Sequence, residues 1–401
     1  MGKKKSILNR IGAIVGICLL VLVLLFAVLF EVTGDRVTKK PTADYSHAVS
    51  LIEGITEANP RIIDLALLAS HDSFSNRIKW SSADDPWEVA KGAFQTKPGL
   101  RQLFWGISRR FTRAQNLDAY DQLRAGARYI DVRISWHEGD YYTKHGFISA
   151  PFKIQLEQML QFLAENPGEV VVLNFHQLNL LSQKTFVEFL NYVDGVKFEG
   201  RSLFDYIPYK TAGEGAAEVW ELRYNTLTDR GAKSGIVMLF CSDETPDAAA
   251  SAEGLANKIY SYYDETDPVN ADRSDYTAIR MLWHESNSSD EIFKGIINEE
   301  AYIKANWDKY SKMFRVNQTQ KTKKLGGAGE IFRTSVGWSL LDFAEDFNYK
   351  LPDQKGFAER FAVMPIFQVD FINASKGDFN NRINAAIRAY NNSMCNAAKF
   401  F

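Results

Sequence analysis

The sequence is short of the features that most directly announce a function. Its 401 residues hold three cysteines, and none is spaced as metal ligands are. Cys18 lies in an apolar N-terminal stretch, and Cys241 sits in an apolar run that reads as a buried thiol rather than half of a disulfide. Cysteine usage therefore leaves the redox compartment open. No glycine-rich phosphate turn follows the first apolar run, which argues against a doubly wound nucleotide-binding sheet. The net charge is only −2, and the mildly acidic body gives no hint of nucleic-acid binding. Internal repeats and low-complexity segments are absent as well, so the chain is not a repeat array.

What is present begins with apolar material. Hydrophobic residues make up 46% of the chain, ample for a large core. Residues 11–30 are uncharged, with Gly12 and Gly16 the only positions that are not apolar. About twenty such residues suffice to span a bilayer as a helix. Lys3, Lys4, Lys5 and Arg10 precede them, which by the positive-inside rule keeps the N-terminus cytoplasmic and exports the rest. The expected organisation is a cytoplasmic stretch 1–10, a single transmembrane signal anchor 11–30, a polar linker 31–55 and one domain over 56–401. Secretion after signal cleavage is the alternative.

The stretch Asp64 to Arg77 organises that domain. An apolar run, Leu65 to Ala69, stops at Ser70-His71-Asp72-Ser73, as a buried strand ending in polar residues does. The same pattern recurs along the chain. Runs at 127–134, 141–146, 170–177, 236–243, 278–284 and 366–372 carry Asp131 and Arg133, His145, His176, Asp243, His284 and Asp370. Helix-like segments at 154–165 and 183–193 lie between them. Strands alternating with helices predict a parallel sheet. More than six of them over this length predict a (β/α) barrel of the TIM type, whose catalytic residues gather at the C-terminal strand ends.

Two further features stand apart from that frame. Between Arg77 and Arg113 eight basic and three acidic residues are interleaved with Trp80, Trp87, Phe94, Phe104, Trp105 and Phe111. This mixture suits either an anionic membrane surface or two helices packing their aromatics inward. Four N-x-Ser/Thr sequons, at Asn287, Asn317, Asn373 and Asn391, permit glycosylation.

Four pieces, in order, carry a likeness: SHDS at Ser70 to Ser73, GARYIDVRI at Gly126 to Ile134, KHG at Lys144 to Gly146 and EVVVLNF at Glu169 to Phe175, with VDF at Val369 to Phe371 near the end. With these the chain resembles the X-domain family of phosphatidylinositol-specific phospholipases C, in its bacterial-type and X-domain-only branch. The resemblance implies a membrane phosphatidylinositol-like lipid as substrate, with diacylglycerol and a cyclic inositol phosphate as products. It implies His71 as the base on the inositol 2-hydroxyl and His145 as the acid on the leaving oxygen. Asp72 would assist His145, Arg133 would hold the phosphate, and Asp370 would orient His71. Asp131 and His176 would lie at the substrate. His176 is a departure, because related enzymes carry lysine or glutamate there, and it leaves head-group preference open. No cofactor is implied, and Arg133 is expected where a Ca²⁺ ion would otherwise stand, because a guanidinium cannot ligate a cation. Three readings of the residues stay open: Asp131 as a structural partner of Arg133, Asp370 as a helix cap, and Asp243 and His284 as pocket lining. A metal-dependent glycerophosphodiesterase and an inactive lipid-binding barrel are the alternative functions.

Overall fold

The apolar runs form strands because they are short, rich in Val, Ile, Leu and Phe, and buried on both faces, as parallel strands under helices must be. The computed structural model describes residues 12–22, 40–41, 43–78, 112–179, 185–208, 219–241, 258–262, 278–322 and 339–398. Ten strands occur there: β1 Leu67–Ser70, β2 Ala127–His137, β3 Asp140–His145, β4 Phe147–Pro151, β5 Val170–Asn179, β6 Gly235–Cys241, β7 Ile259–Tyr262, β8 Ile279–Trp283, β9 Phe314–Gln318 and β10 Ile366–Val369. Eight are parallel, in the spatial order β7-β6-β5-β2-β1-β10-β9-β8. The first strand thus lies beside the last, in register from Leu67 opposite Ile366 to Ser70 opposite Val369. The result is a curled parallel α/β sheet of the TIM-barrel kind. Among the described residues no pairing joins β7 to β8, so the ring has one seam.

Side-chain alternation along the strands separates two apolar layers. Leu67, Ala69, Val170, Val172, Val237, Leu239, Ile279, Met281, Phe314, Val316 and Ile366 share the inner cluster. Their neighbours Leu68, Val171, Leu173, Ile236, Met238, Phe240 and Phe367 share the outer one. Onto the outer face pack α1 Ala119–Arg124, α2 Phe152–Glu165, α3 Phe186–Gly195, α4 Ser289–Ala305, α5 Leu340–Phe347 and α6 Phe379–Ala398. The two helix-like segments of the sequence correspond to α2 and α3. Gly126 precedes β2 at φ 98°, a conformation favouring glycine, and a Cβ there would collide with the Asn384 carboxamide.

Several expectations need correction. The linker expected over 31–55 is, from residue 43 onward, part of the barrel: Val49, Ile52 and Ile55 are buried in the inner cluster. They close its N-terminal end together with Ile62, Leu222 and Tyr224. The run carrying His145 is not a barrel strand. It is β3, antiparallel to β2 and to β4, a hairpin standing on the long end of β2. Strands β4, β7 and β9 had no clear apolar signal. Three sequons are blocked, since Asn317, Asn373 and Asn391 are buried, while Asn287 is exposed in a turn before α4.

Residues 12–22 are helical with exposed apolar side chains, Ile14 and Ile17 among them. The rest of the expected anchor, residue 11 and residues 23–30, lies outside the described residues, as do Asp243 and most of the basic-aromatic loop (79–111). Among the described residues no helix is long and apolar enough to cross a membrane.

The segment 43–50 is held by a buried ion pair beneath the sheet. Arg128 Nε lies 2.7 Å from Glu169 Oε2, with the two side chains 1% and 0% exposed. Arg128 also donates to the carbonyls of Leu123, Ala127, Tyr45 and Ser46, and Glu169 accepts from the N–H groups of Val49 and Ser50. Removing one partner strands the other as a buried charge. Glu169→Ala should therefore destabilise the fold by about 3–5 kcal/mol in denaturant unfolding and expose residues 43–50 to proteolysis. A loss below about 1 kcal/mol would show that the pair is incidental.

Candidate active site

The polar residues at the C-terminal strand ends meet above β1, β2 and β10. His71 extends β1 by one more bond, its N–H donating to the Val369 carbonyl at 3.0 Å. Asp72 then adopts a left-handed backbone, φ 42°, which costs a non-glycine residue roughly 1–2 kcal/mol. Asp131 holds the turn: its Oδ2 accepts from the Asp72 N–H at 3.1 Å and its carbonyl from the Ser73 N–H at 2.9 Å. On the adjacent strand end Asp370 precedes Phe371, itself left-handed at φ 45°, and the Asp370 carbonyl accepts from Asn348 Nδ2 at 2.7 Å.

These two turns bring His71 Nδ1 within 2.7 Å of Asp370 Oδ1. An ionised carboxylate can only accept, so Nδ1 carries the hydrogen and Nε2 faces the site. There Nε2 lies 3.1 Å from Asp72 Oδ2 and 3.2 Å from Arg133 Nη2. His145, at the tip of the β3–β4 hairpin, mirrors this arrangement. Its Nδ1 donates to the Thr112 carbonyl at 2.8 Å, and its Nε2 lies 3.1 Å from the same Asp72 Oδ2. The two rings are 5.7 Å apart and nearly perpendicular, at 74°. One carboxylate oxygen thus stands between two imidazole nitrogens.

Arg133 closes the cluster. Its Nε is 2.5 Å from Asp72 Oδ1 and its Nη2 is 3.2 Å from Asp131 Oδ2. Gln368 Nε2 donates to that same Asp131 oxygen at 3.1 Å. A register slip explains His176. Val132 pairs with Phe175 but Arg133 pairs with Gln177, so His176 is the extra residue of a bulge, a device that re-aims a side chain. Its Nδ1 sits 3.7 Å from Asp131 Oδ1.

All seven site residues expected from the sequence are therefore brought together. Asp131 is buried and engaged by the Asp72 N–H, Gln368 and Arg133. Asp370 bonds His71 rather than capping a helix. His284 is apart from the cluster: it bonds Asn317 Oδ1 at 2.8 Å and packs over Gly295 of α4. Thr112, Gln115, Asn348 and Gln368 were not singled out from the sequence. Their contribution is a carbonyl or a carboxamide, which no local pattern marks.

Electrostatics divide the two histidines. Burial alone would lower His71, but Asp72 and Asp370 outweigh it and hold the imidazole above its ordinary 6.5. Asp370 is itself raised, by burial and then by Asp72. His145 is lowered to about 4 by burial, assisted by the charges of Arg133 and His71. Asp131, despite burial, is held far below the carboxylate range by Arg133 and His176. His71, Asp72 and Asp131 do bring three ligand atoms within 4.8 Å. Both carboxylates, however, already face the guanidinium, whose charge repels a cation, so these residues do not fit a Ca²⁺ site.

A titration of imidazole NMR signals should find His145 still neutral near pH 6 and His71 titrating above its ordinary value. Asp72→Asn should lower both midpoints, because it removes the carboxylate that favours both charged forms. Observing His145 as the more basic of the two would contradict this ordering.

No family model matches the chain. A segment of 123 residues is 32% identical to the PI-PLC X domain-containing protein 3 of Danio rerio, covering 29% of this chain and 37% of that protein. A segment of 133 residues is 31% identical to the PI-PLC X domain-containing protein 2 of Mus musculus, covering 31% and 37%. One of 129 residues is 32% identical to the variant-surface-glycoprotein phospholipase C of Trypanosoma cruzi, covering 30% and 33%. The chain thus matches little more than a third of these relatives' own lengths. Among solved structures, it is similar to the phosphatidylinositol-specific phospholipase C of Staphylococcus aureus, with TM-score 0.53 at 14% identity over 84% of this chain and 99% of that one. That of Listeria monocytogenes gives TM-score 0.50 at 16% identity over 86% and 99%. These two likenesses are of fold. Over the matched segment, which holds the ordered motifs, the chain is similar to proteins with a phosphatidylinositol-specific phospholipase C X domain, and its fold is similar to that of the two bacterial enzymes.

Proposed function

We propose that the chain cleaves the phosphodiester of phosphatidylinositol or a related inositol glycolipid, releasing diacylglycerol and a cyclic inositol phosphate. One observation carries the reading: two imidazole Nε2 atoms, each 3.1 Å from the same carboxylate oxygen, with a guanidinium against that carboxylate. A phosphodiester attacked by its own neighbouring hydroxyl needs a base on one side, an acid on the other and fixed positive charge at the phosphorus.

In this reading His71 Nε2 takes the proton of the inositol 2-hydroxyl. The oxygen attacks phosphorus, the bond to the glycerol oxygen breaks, and His145 Nε2–H protonates that oxygen as it leaves. Asp370 keeps the His71 Nδ1–H in place and stabilises the imidazolium as it forms, the role of a carboxylate behind a catalytic imidazole. Arg133 presents forked donors to the phosphate oxygens. Free His145 is neutral at neutral pH, so its acid form depends on the bound phosphodiester anion and on Asp72. Asp72 Oδ2, equidistant from both Nε2 atoms, offers a return path for the proton from His71 to His145 between turnovers.

The fixed charge of Arg133 takes the place of a metal ion in this scheme. The export signal and membrane anchor belong to the same proposal. They are supported by the basic residues before position 11 and by the exposed apolar side chains of residues 12–22.

Three outcomes test the reading on phosphatidylinositol in mixed vesicles. His71→Ala and His145→Ala should each lower turnover by about 10²–10⁴-fold with circular dichroism unchanged; half the parent rate in either would refute the two-histidine scheme. Activity should survive a large excess of EDTA, and inhibition reversed by Ca²⁺ would instead establish the metal-dependent alternative. Arg133→Lys should be severely impaired, because an ammonium cannot make a two-pronged contact.

A further inference from the structure

Gln115 lies just beyond the basic-aromatic loop, is fully buried, and belongs to no motif. Its carboxamide is used on three sides. Nε2 donates to the His71 carbonyl and to the Val369 carbonyl, both at 3.0 Å, and Oε1 accepts from the Ile372 N–H at 3.2 Å. His71 is the residue that follows β1, while Val369 and Ile372 flank Asp370 after β10. The regular β1–β10 register ends at Ser70 and Val369, and one further backbone bond, from the His71 N–H to the Val369 carbonyl, is the last between the two segments that carry His71 and Asp370. The neighbours of Gln115 act in the same place. Ala114 accepts from the Phe371 N–H at 2.7 Å and donates to Ser75 Oγ at 2.9 Å, and the Thr112 carbonyl takes the His145 Nδ1–H.

We propose that Gln115 is a positioning residue for the reaction: its carboxamide clamps the ends of β1 and β10 so that His71 and Asp370 stay in hydrogen-bond register. It touches no substrate atom and acts through the backbone on either side of the pair. The inference rests on His71 being the base, as proposed above. A shift of about 1 Å in a catalytic group costs on the order of 10²-fold in rate, and this clamp resists such a shift together with the His71–Asp370 bond, the His71 N–H bond to Val369 and the Asn348 bond to the Asp370 carbonyl. Residues 112–115 in turn reach both histidines, through the Gln115 side chain to His71 and through the Thr112 carbonyl to His145. The strap therefore sets the spacing between base and acid as well as the geometry of the base.

The test uses the full chain with Gln115→Met, similar in size but without hydrogen bonds, and Gln115→Asn, which keeps the amide but is one methylene too short to span both carbonyls. Gln155→Leu is the control, since Gln155 is an equally buried glutamine that caps Ala119 at 3.1 Å far from the pair. Two quantities are read: turnover of phosphatidylinositol in detergent-mixed micelles, and the NMR titration of His71. The charged and titratable groups facing His71 are Asp370, Asp72, Asp131, Arg133 and His145, and none is altered by these substitutions. Gln115→Met should lower kcat about 10²-fold with KM changed by no more than about twofold. It should also move the His71 midpoint down toward its ordinary value, because the Asp370 contact loosens. Gln115→Asn should do the same to a smaller degree, and it carries the test if the Met variant does not fold. Gln155→Leu should lower Tm and leave the His71 midpoint in place. If the Gln115 variants lose only Tm, with kcat and the His71 midpoint unmoved, the clamp is merely structural and the proposal falls. If the parent protein does not cleave phosphatidylinositol, it is the functional reading that fails, and the His71 titration alone then decides whether Gln115 positions the pair.

Discussion

The parallel pairing of the first strand with the last is the constraint on which the site depends. His71 and Asp370 are 299 positions apart in the chain, yet they stand side by side because β1 and β10 are neighbours and both end at the same level. Every other member of the cluster is placed against that pair. Asp131 and Arg133 come from β2 on the other side of β1, and His176 from a bulge on β5. His145 is delivered from above by a hairpin that extends β2. A barrel whose ends did not meet would keep each motif and lose the site. Loop-closure entropy makes such a long-range contact costly to form, which is why the junction is secured by a strand ladder, a short charged hydrogen bond and buried carboxamides.

Charge burial is the second constraint. The site buries Asp72, Asp131 and Asp370 and leaves the Arg133 side chain only 12% exposed, an arrangement that desolvation opposes. The cluster persists because each charge has an opposite neighbour and the left-handed turns at Asp72 and Phe371 are tied down by backbone bonds. The same tension separates the two imidazoles. His71 faces two carboxylates and is raised. His145 is lowered by burial, with Arg133 and His71 assisting against its one carboxylate. Two chemically identical side chains are thereby given different proton affinities by their surroundings alone. At the opposite end of the sheet Arg128 and Glu169 form a second buried pair, but every partner they have is part of the fold, and they serve the fold rather than chemistry.

Much of this was legible residue by residue. The apolar runs, their polar ends and the order of SHDS, DVR and HG pointed to strands, to a barrel and to the seven site residues. The misreadings share one cause. Residues 43–55 look like a linker because their apolar positions are sparse, and they are buried only because the barrel floor is there to receive them. The KHG run resembles a barrel strand because local alternation is the same in an antiparallel hairpin. Strands β7 and β9 are short and mixed in polarity, and their partners rather than their own sequences make them strands.

What the sequence by itself determined is the local material: where strands begin and end, which titratable side chains terminate them, and the glycine that a left-handed turn requires. These follow from periodicity and side-chain chemistry acting over a few residues. Only the tertiary structure decided which of those ends share a site, that Asp131 lies against Arg133 and the Asp72 N–H, and which imidazole is raised and which lowered. It alone brought the Thr112 carbonyl and the Gln115 carboxamide against the segments that carry the two histidines. The reason is physical. A carbonyl is present at every residue, a carboxamide is neutral, and a proton's position depends on charges brought together from distant segments, so none of these leaves a local mark in the sequence.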